Sequence, residues 1–234
     1  MSTAFNPSAA EVSKLPAAPE TAEPHAAGDR RPLWELAVGY GFLLLALWSE
    51  GDLRWAWAVG LALWIVGVTL YHRPSRRQLG LAGTGFLGSL WIVGAAAAAG
   101  AAMLFGAHLA GTLHPYVLRR TLFAAGSGYL IWTFQQQFML QSFFFLRLEQ
   151  LLGSRKAVWA AAGLFALAHV PNPVLVPATL AAGLAFCEMF RRHRNIYTLA
   201  IAQAVLGMCL AAAVPDAWHH HMHVGIGYLN WIPR

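Results

Sequence analysis

Residues 85–106 read GFLGSLWIVGAAAAAGAAMLFG, a run without one charged side chain. It matches the ~20 apolar residues that a helix needs to cross a bilayer. Its glycines and the block Ala95 to Ala99 suit close helix–helix approach in lipid, where packing rather than hydrophobicity drives association. A packing face on a membrane helix is the expectation for this stretch.

The whole composition agrees. Of the 234 residues, 58% are hydrophobic and 11% charged, with mean hydropathy +0.50. Soluble domains carry about 25% charge. So little charge cannot clothe a water-facing surface, and a soluble core could not take up the remaining apolar side chains. The net charge of +6 does not indicate nucleic acid, because the basic residues sit in short clusters between apolar runs. Cys187 and Cys209 lie within apolar segments and read as small core residues.

Outward from 85–106, further spans are expected at 33–49, 54–71, 121–146, 157–170, 174–190 and 196–213. Trp34, Trp48, Trp55, Trp57, Tyr71 and Trp159, near span ends, fit an interfacial belt. The fold class expected is all-α, a polytopic transmembrane helical bundle of seven to eight spans. An amphipathic piece near 107–120 is the place where a crossing is gained or lost. The spans at 157–170 and 174–190 are short. Pro171-Asn172-Pro173 parts them, so a tight hairpin whose ends do not reach both faces is expected.

Residues 1–31 are rich in Ala, Pro, Glu and Ser and read as a disordered cytoplasmic tail without the marks of a signal peptide. Residues 32–120 then form N-terminal helices, 121–213 a core, and 214–234 a C-terminal tail. With the N-terminus inside and seven spans, twelve of the sixteen Lys and Arg fall inside and four outside. That orientation, in a bacterial inner membrane, is the expected location.

Polar residues inside spans are costly and therefore informative. Gln135, Gln136, Gln137 and Gln141 lie within two turns, and Gln137 and Gln141 share a face. They should face protein or a water-filled cavity. Interhelical hydrogen bonding, about 0.6–2 kcal/mol per contact, is the structural alternative to function. His169 closes Phe165-Ala166-Leu167-Ala168-His169, beside the proline turn, and Gln203 lies in the last span.

These residues resemble the motifs of the CAAX-processing and bacteriocin self-immunity (ABI) family of intramembrane proteases. That family has a paired-Glu motif followed by an aromatic and Arg, then Phe-x-x-x-His, then His-x-x-x-Asn. The similarity covers roughly 121–213 and, more loosely, Arg73 to Leu81 (RPSRRQLGL). Phe165 and His169 match the second motif. Gln136 and Gln137 stand at the paired glutamates, Gln141 at the Arg, and Ser142 where a Gly often follows. Gln203 stands at the third-motif His and Gly207 at the Asn.

The resemblance implies a water activated by the first glutamate and the second-motif His, with an oxyanion held by the third motif. Carried over, His169 is the base, Gln136 and Gln137 position water, and Gln203 donates to the oxyanion. An imidazole titrates near neutrality, whereas a glutamine amide cannot accept the proton. No carboxylate replaces the pair. Glu149 lies twelve residues past Gln137, about 18 Å along a helix. Glu188 sits against Arg191 and Arg192, where an ion pair is expected.

A catalytic zinc needs about three protein ligands, and the core offers one His, so no core cofactor is implied. His219, His220, His221 and His223 form a tract that either binds metal weakly or caps the bundle as a polar turn. The implied partners are membrane lipids and a membrane-associated peptide or protein substrate. A non-catalytic immunity or scaffold protein on the same fold is the alternative. A small transporter fits less well, since intramembrane charge pairs and an inverted repeat are missing.

Overall fold

A computed structural model describes residues 30–114 and 126–232. The tail at 1–29, residues 115–120 of the amphipathic piece, the start of the fourth span at 121–125 and Arg234 lie outside the described residues. No strand occurs among the described residues. The chain forms α1 (Arg31–Trp48), α2 (Gly51–His72), α3 (Phe86–Ala110) and α4 (Gly126–Gln137). Helix α4 runs on through a π-helical segment (Phe138–Phe145) into α5 (Leu146–Leu152). Then follow α6 (Ser154–Leu167), α7 (Leu175–His193) and α8 (Ile196–Ala213). A folded end comprises α9 (Asp216–His219), a 3-10 turn (His220–Met222) and α10 (Ile226–Leu229).

Three helices, Gly51–His72, Phe86–Ala110 and Ile196–Ala213, are long and apolar enough to cross a membrane by length and composition. Their outer faces carry large apolar side chains such as Leu63, Leu70, Leu87, Phe105 and Leu109, each more than 60% exposed. Water would not tolerate so broad an apolar surface, and lipid does. The chain is an integral membrane protein. Trp34, Trp48, Trp55, Tyr71 and Trp159 are exposed near helix ends, as an interfacial belt requires.

Helix α8 is the central strut, packed against α3 and α4, while α6 pairs with α7 and α1 with α2. The small-residue face of α3 narrows to the buried stripe Ile92, Ala96, Gly100 and Ala107, spaced for one helix side. A Cβ on Gly100 would come within 2.7 Å of the Cys209 sulfur, so glycine sets that approach.

Two boundaries differ from expectation for a physical reason. The fourth rod continues six residues past 146, to Leu152, and Gly153 at φ +78° ends it. Its charges do not stop it because they are paired. Buried Arg147 meets Glu35 of α1 at 3.2 Å, and Glu149 takes Arg194 at 2.6 and 2.7 Å. The hairpin is only half as short as expected. Helix α6 has 14 residues, about 21 Å, but α7 has 19, about 28 Å, extended by the paired residues Arg191 and Arg192.

The segment 73–85 is not a free loop. Leu79 carbonyl accepts from the Ser142 hydroxyl at 2.7 Å, and Gly80 carbonyl accepts from the Ile196 amide at 3.0 Å. Gly80 holds φ +73°, and a Cβ there would press on Phe190 at 2.5 Å.

The expected C-terminal tail, residues 214–234, is folded over its described part. The organiser is fully buried Asn172 in the proline turn. Its oxygen accepts from the Val174 and Leu175 amides at 3.0 and 2.9 Å, opening α7. Its amide donates to the His219 and His223 carbonyls at 2.9 and 3.0 Å, and Gly225 N–H donates to the Val170 carbonyl at 3.0 Å. Unpaired buried groups cost about 1–3 kcal/mol each. Asn172→Asp keeps the oxygen that accepts from both amides and loses both N–H donors. It should therefore release residues 216–229 to limited proteolysis while α7 stays protected, whereas Asn172→Ala should also lower the melting temperature. Equal protease resistance of the wild type and Asn172→Asp would remove this role.

Candidate functional site

The polar residues of the fourth rod and of α8 meet. Gln141 Nε2 donates to Gln137 Oε1 at 3.2 Å, and Gln137 Nε2 to Gln203 Oε1 at 2.7 Å. Gln203 Nε2 then donates to Gln136 Oε1 at 2.5 Å. Four amides pass hydrogen bonds in one direction between α4 and α8. Gln137 and Gln141 are fully buried, while Gln136 and Gln203 are half-buried. Gln135, the neighbour outside the chain of bonds, is exposed. The π-helical segment places Gln141 and Ser142 in the interior with Phe143, Phe144 and Phe145; such segments often mark functional sites.

His169 follows α6 at the proline turn. Its Nδ1 lies 2.7 Å from the Phe165 carbonyl, an acceptor, so Nδ1 carries the proton and Nε2 keeps its lone pair. The ring stands edge-on to Phe165, with centroids 4.8 Å apart. Turning the Phe-x-x-x-His spacing into one helical turn produces both contacts.

His169 and Gln136 line one cavity with room of about 90 Å³ for water-sized molecules. That is enough for several waters. The other walls are Trp132, Met139, Leu140 and Phe144 from the fourth rod, Leu164, Phe165 and Ala168 from the α6 end, and Val224 from the C-terminal segment. Helix α1 supplies Tyr40, Leu43 and Leu47. Tyr40 hydroxyl donates to the Leu164 carbonyl at 3.0 Å and its ring meets Phe144 edge-on. The cavity is thus mostly apolar, with the His169 imidazole, the Gln136 amide and the Tyr40 hydroxyl among its polar features, and no carboxylate of the described residues lines it. Gln137, Gln141 and Gln203 do not line it; they stand behind Gln136.

The direction of the amide chain decides what Gln136 offers. Its oxygen is taken by Gln203, and its nitrogen has no partner among the described residues. Gln136, expected to position water, therefore has its amide N–H left to offer the cavity. The acceptor in the wall is His169 Nε2.

Residues 119–209 match the family model described as type II CAAX prenyl endopeptidase Rce1-like. Over this stretch, which is less than half of the chain, the protein is similar to that endopeptidase family. The match spans Gln136, Gln137, Gln141, His169, Gln203 and Gly207, the residues on which the resemblance rested. No curated protein and no solved structure matches the chain. Tyr40 and Val224, which complete the cavity, lie outside the matched stretch.

Sequence reasoning missed Tyr129. A Cβ on Gly207 would overlap the Tyr129 hydroxyl, so the third-motif Asn position is empty of side chain and the phenol of α4 sits in its place. The available signal was spacing: Tyr129 is seven residues before Gln136, two turns along one face. It also missed Tyr40, whose hydroxyl partner is 124 residues away.

The histidine tract packs into a tight turn. His219, His220, His221 and His223 do not gather as metal ligands, and no group of three or more His, Cys, Asp or Glu is placed to hold a metal among the described residues. His219 is buried, with Nε2 on the Val214 carbonyl at 2.9 Å and Nδ1 accepting from Met222 N–H at 3.1 Å. Burial holds its pKa below the ordinary value. His220 stacks on Tyr228 and Trp231, His221 pairs with Asp216 at 3.2 Å, and His223 meets the His220 carbonyl at 2.5 Å. Backbone groups in and around the tight turn engage His219, His220 and His223, while His221 is held by Asp216.

Two outcomes follow. Single cysteines at Gln136 and His169 should react with a small polar thiol reagent in membranes, with native Cys187 and Cys209 silent in the interior. Gln137→Cys should stay silent, and equal labelling of Gln137→Cys would contradict a cavity that ends at Gln136. Separately, Gly207→Ala should destabilise the bundle by about 1–3 kcal/mol through overpacking. Tyr129→Phe should recover part of that loss in a double-mutant cycle; additive effects would show that the two sites do not touch.

Proposed function

We propose that the protein acts on a membrane-associated peptide as an endopeptidase of the CAAX protease class, with His169 as general base working without a carboxylate partner. The single supporting observation is the shared cavity of His169 and Gln136, one bearing a free Nε2 and the other a free amide N–H. Water held between them has an acceptor for its proton on one side. The Gln136 amide, backed by Gln203, faces the peptide carbonyl whose oxygen gains charge on attack. Gln137 and Gln141 act as positioning residues that fix the rotamer of Gln136 through the amide chain. The apolar walls from α1 and the fourth rod accept a lipid-like or apolar portion of the substrate.

In this reading residues 32–120 and 214–234 complete a site centred on residues 121–213. Arg73, Arg76, Arg77, Arg155, Lys156, Arg191, Arg192 and Arg194 gather at one end of the bundle, and the positive-inside rule places that end in the cytoplasm. A bacterial inner membrane suits this arrangement.

One observation favours a second reading. Among the described residues no carboxylate lines the cavity, and the Gln136 oxygen is occupied by Gln203. A non-catalytic protein that binds such a peptide would need no more than the donor, the acceptor and the apolar walls.

Membranes bearing the wild type, His169→Ala and Gln136→Glu, tested on a panel of membrane-anchored peptides, separate the two. Hydrolysis by the wild type that falls about 10²–10⁴-fold in His169→Ala supports the base. Binding without hydrolysis by the wild type, with turnover appearing only in Gln136→Glu, establishes the non-catalytic reading.

A further inference from the structure

Beside the outer faces of α6 and α7, at the charge-rich end of the bundle, Arg155, Val158, Trp159, Glu188, Arg191 and Arg192 line a second cleft of about 310 Å³. It belongs to neither the amide chain nor the His169 cavity. Three guanidinium groups face one carboxylate, so 3 − 1 leaves +2. Glu188 does not use up the donors. It takes Nε and Nη2 of Arg191 at 2.8 and 2.7 Å and only Nε of Arg192 at 2.6 Å. The Nη1 of Arg191 and both terminal nitrogens of Arg192 remain, and Arg155 is exposed and makes no ion pair among the described residues.

The ion pair has a structural consequence for the cleft. Glu188 holds two long side chains in fixed positions, so part of the ordering cost of binding an anion is already met. Guanidinium groups present planar donor forks that match phosphate oxygens. The mouth of the cleft is not purely polar. Trp159 is 70% exposed one turn from Arg155, an arrangement suited to the headgroup level of a bilayer rather than to bulk water. A free phosphate has no use for that indole; a phosphodiester with acyl chains has.

We propose that this cleft is a binding site for the phosphodiester headgroup of an anionic membrane phospholipid. The phosphate engages Arg155 and the spare donors of Arg191 and Arg192, while the glycerol and upper acyl region lie along Trp159. Basic pockets between transmembrane helices at the cytoplasmic face bind such headgroups. A lipid held there bridges the start of α6 to the end of α7, and so steadies the hairpin whose other end carries His169.

The test uses the full chain in a zwitterionic detergent, titrated with short-chain phosphatidylglycerol, short-chain phosphatidylcholine or inorganic phosphate. Bound lipid is read by native mass spectrometry and thermal stability in parallel. Phosphatidylglycerol should bind and raise the melting temperature, and the other two should do neither at equal concentration. Arg155→Gln should weaken phosphatidylglycerol about fivefold, the scale set by one basic residue near a lipid surface. That side chain makes no ion pair, so folding should be retained, and an unchanged melting temperature without lipid checks this. Arg77→Gln removes an exposed charge from the same end but outside the cleft and should leave affinity unchanged. Equal losses in Arg77→Gln and Arg155→Gln would overturn the proposal in favour of a diffuse surface potential. Equal stabilisation by inorganic phosphate would overturn it in favour of a soluble-anion site, and equal binding of phosphatidylcholine would remove the charge argument altogether.

Discussion

Lipid offers no hydrogen bonds, so each polar group that enters the bundle must find its partner in the protein. The amide chain Gln141–Gln137–Gln203–Gln136 is where this constraint bears hardest. It ties α4 to α8, and α8 in turn carries α3 on its small-residue stripe. Because an amide gives through its nitrogen and receives through its oxygen, the chain has a direction. Its beginning is the Gln141 oxygen, buried without a hydrogen-bond partner, and its end is the Gln136 nitrogen at the cavity. A network that only glued helices together could close on itself. This one delivers a donor to the place where His169 delivers an acceptor.

The cavity is assembled by parts far apart in the chain. The matched segment provides His169 and Gln136 but not the whole enclosure. Tyr40, Leu43 and Leu47 from α1 and Val224 from the folded end close it. Asn172 holds that end in place from the same turn that positions His169. Substitutions in α1 or in residues 216–229 therefore bear on the site although they lie outside the matched segment.

Charge is distributed as unevenly as polarity. At one end Glu35 joins His72 and Arg147, Glu149 joins Arg194, and Glu188 joins Arg191 and Arg192. Pairing allows the fourth rod and α7 to keep helical form through charged residues. Breaking a buried pair leaves one charge unmatched at about 3–5 kcal/mol, so Arg147 depends on Glu35 being supplied by α1. The carboxylates of this end are thereby committed to arginines. None of them lines the His169 cavity.

The sequence by itself determined the solvent, the helical class and the approximate span positions. Twenty-residue apolar runs have no other stable form in a bilayer, and the run at 196–213 matches α8 end for end. It also singled out Gln136, Gln137, Gln141, His169 and Gln203, because polar residues stand out where lipid penalises them. Only the tertiary structure decided which of them touch. Helix rotation and neighbour choice set Tyr129 against Gly207, Tyr40 against Leu164 and Gln203 against Gln136, each contact 67 or more residues apart. The reach of the fourth rod to Leu152 depended on partners in α1 and after α7. Hydropathy is a local property and reads locally; pairing is a property of neighbours that the chain brings together only on folding.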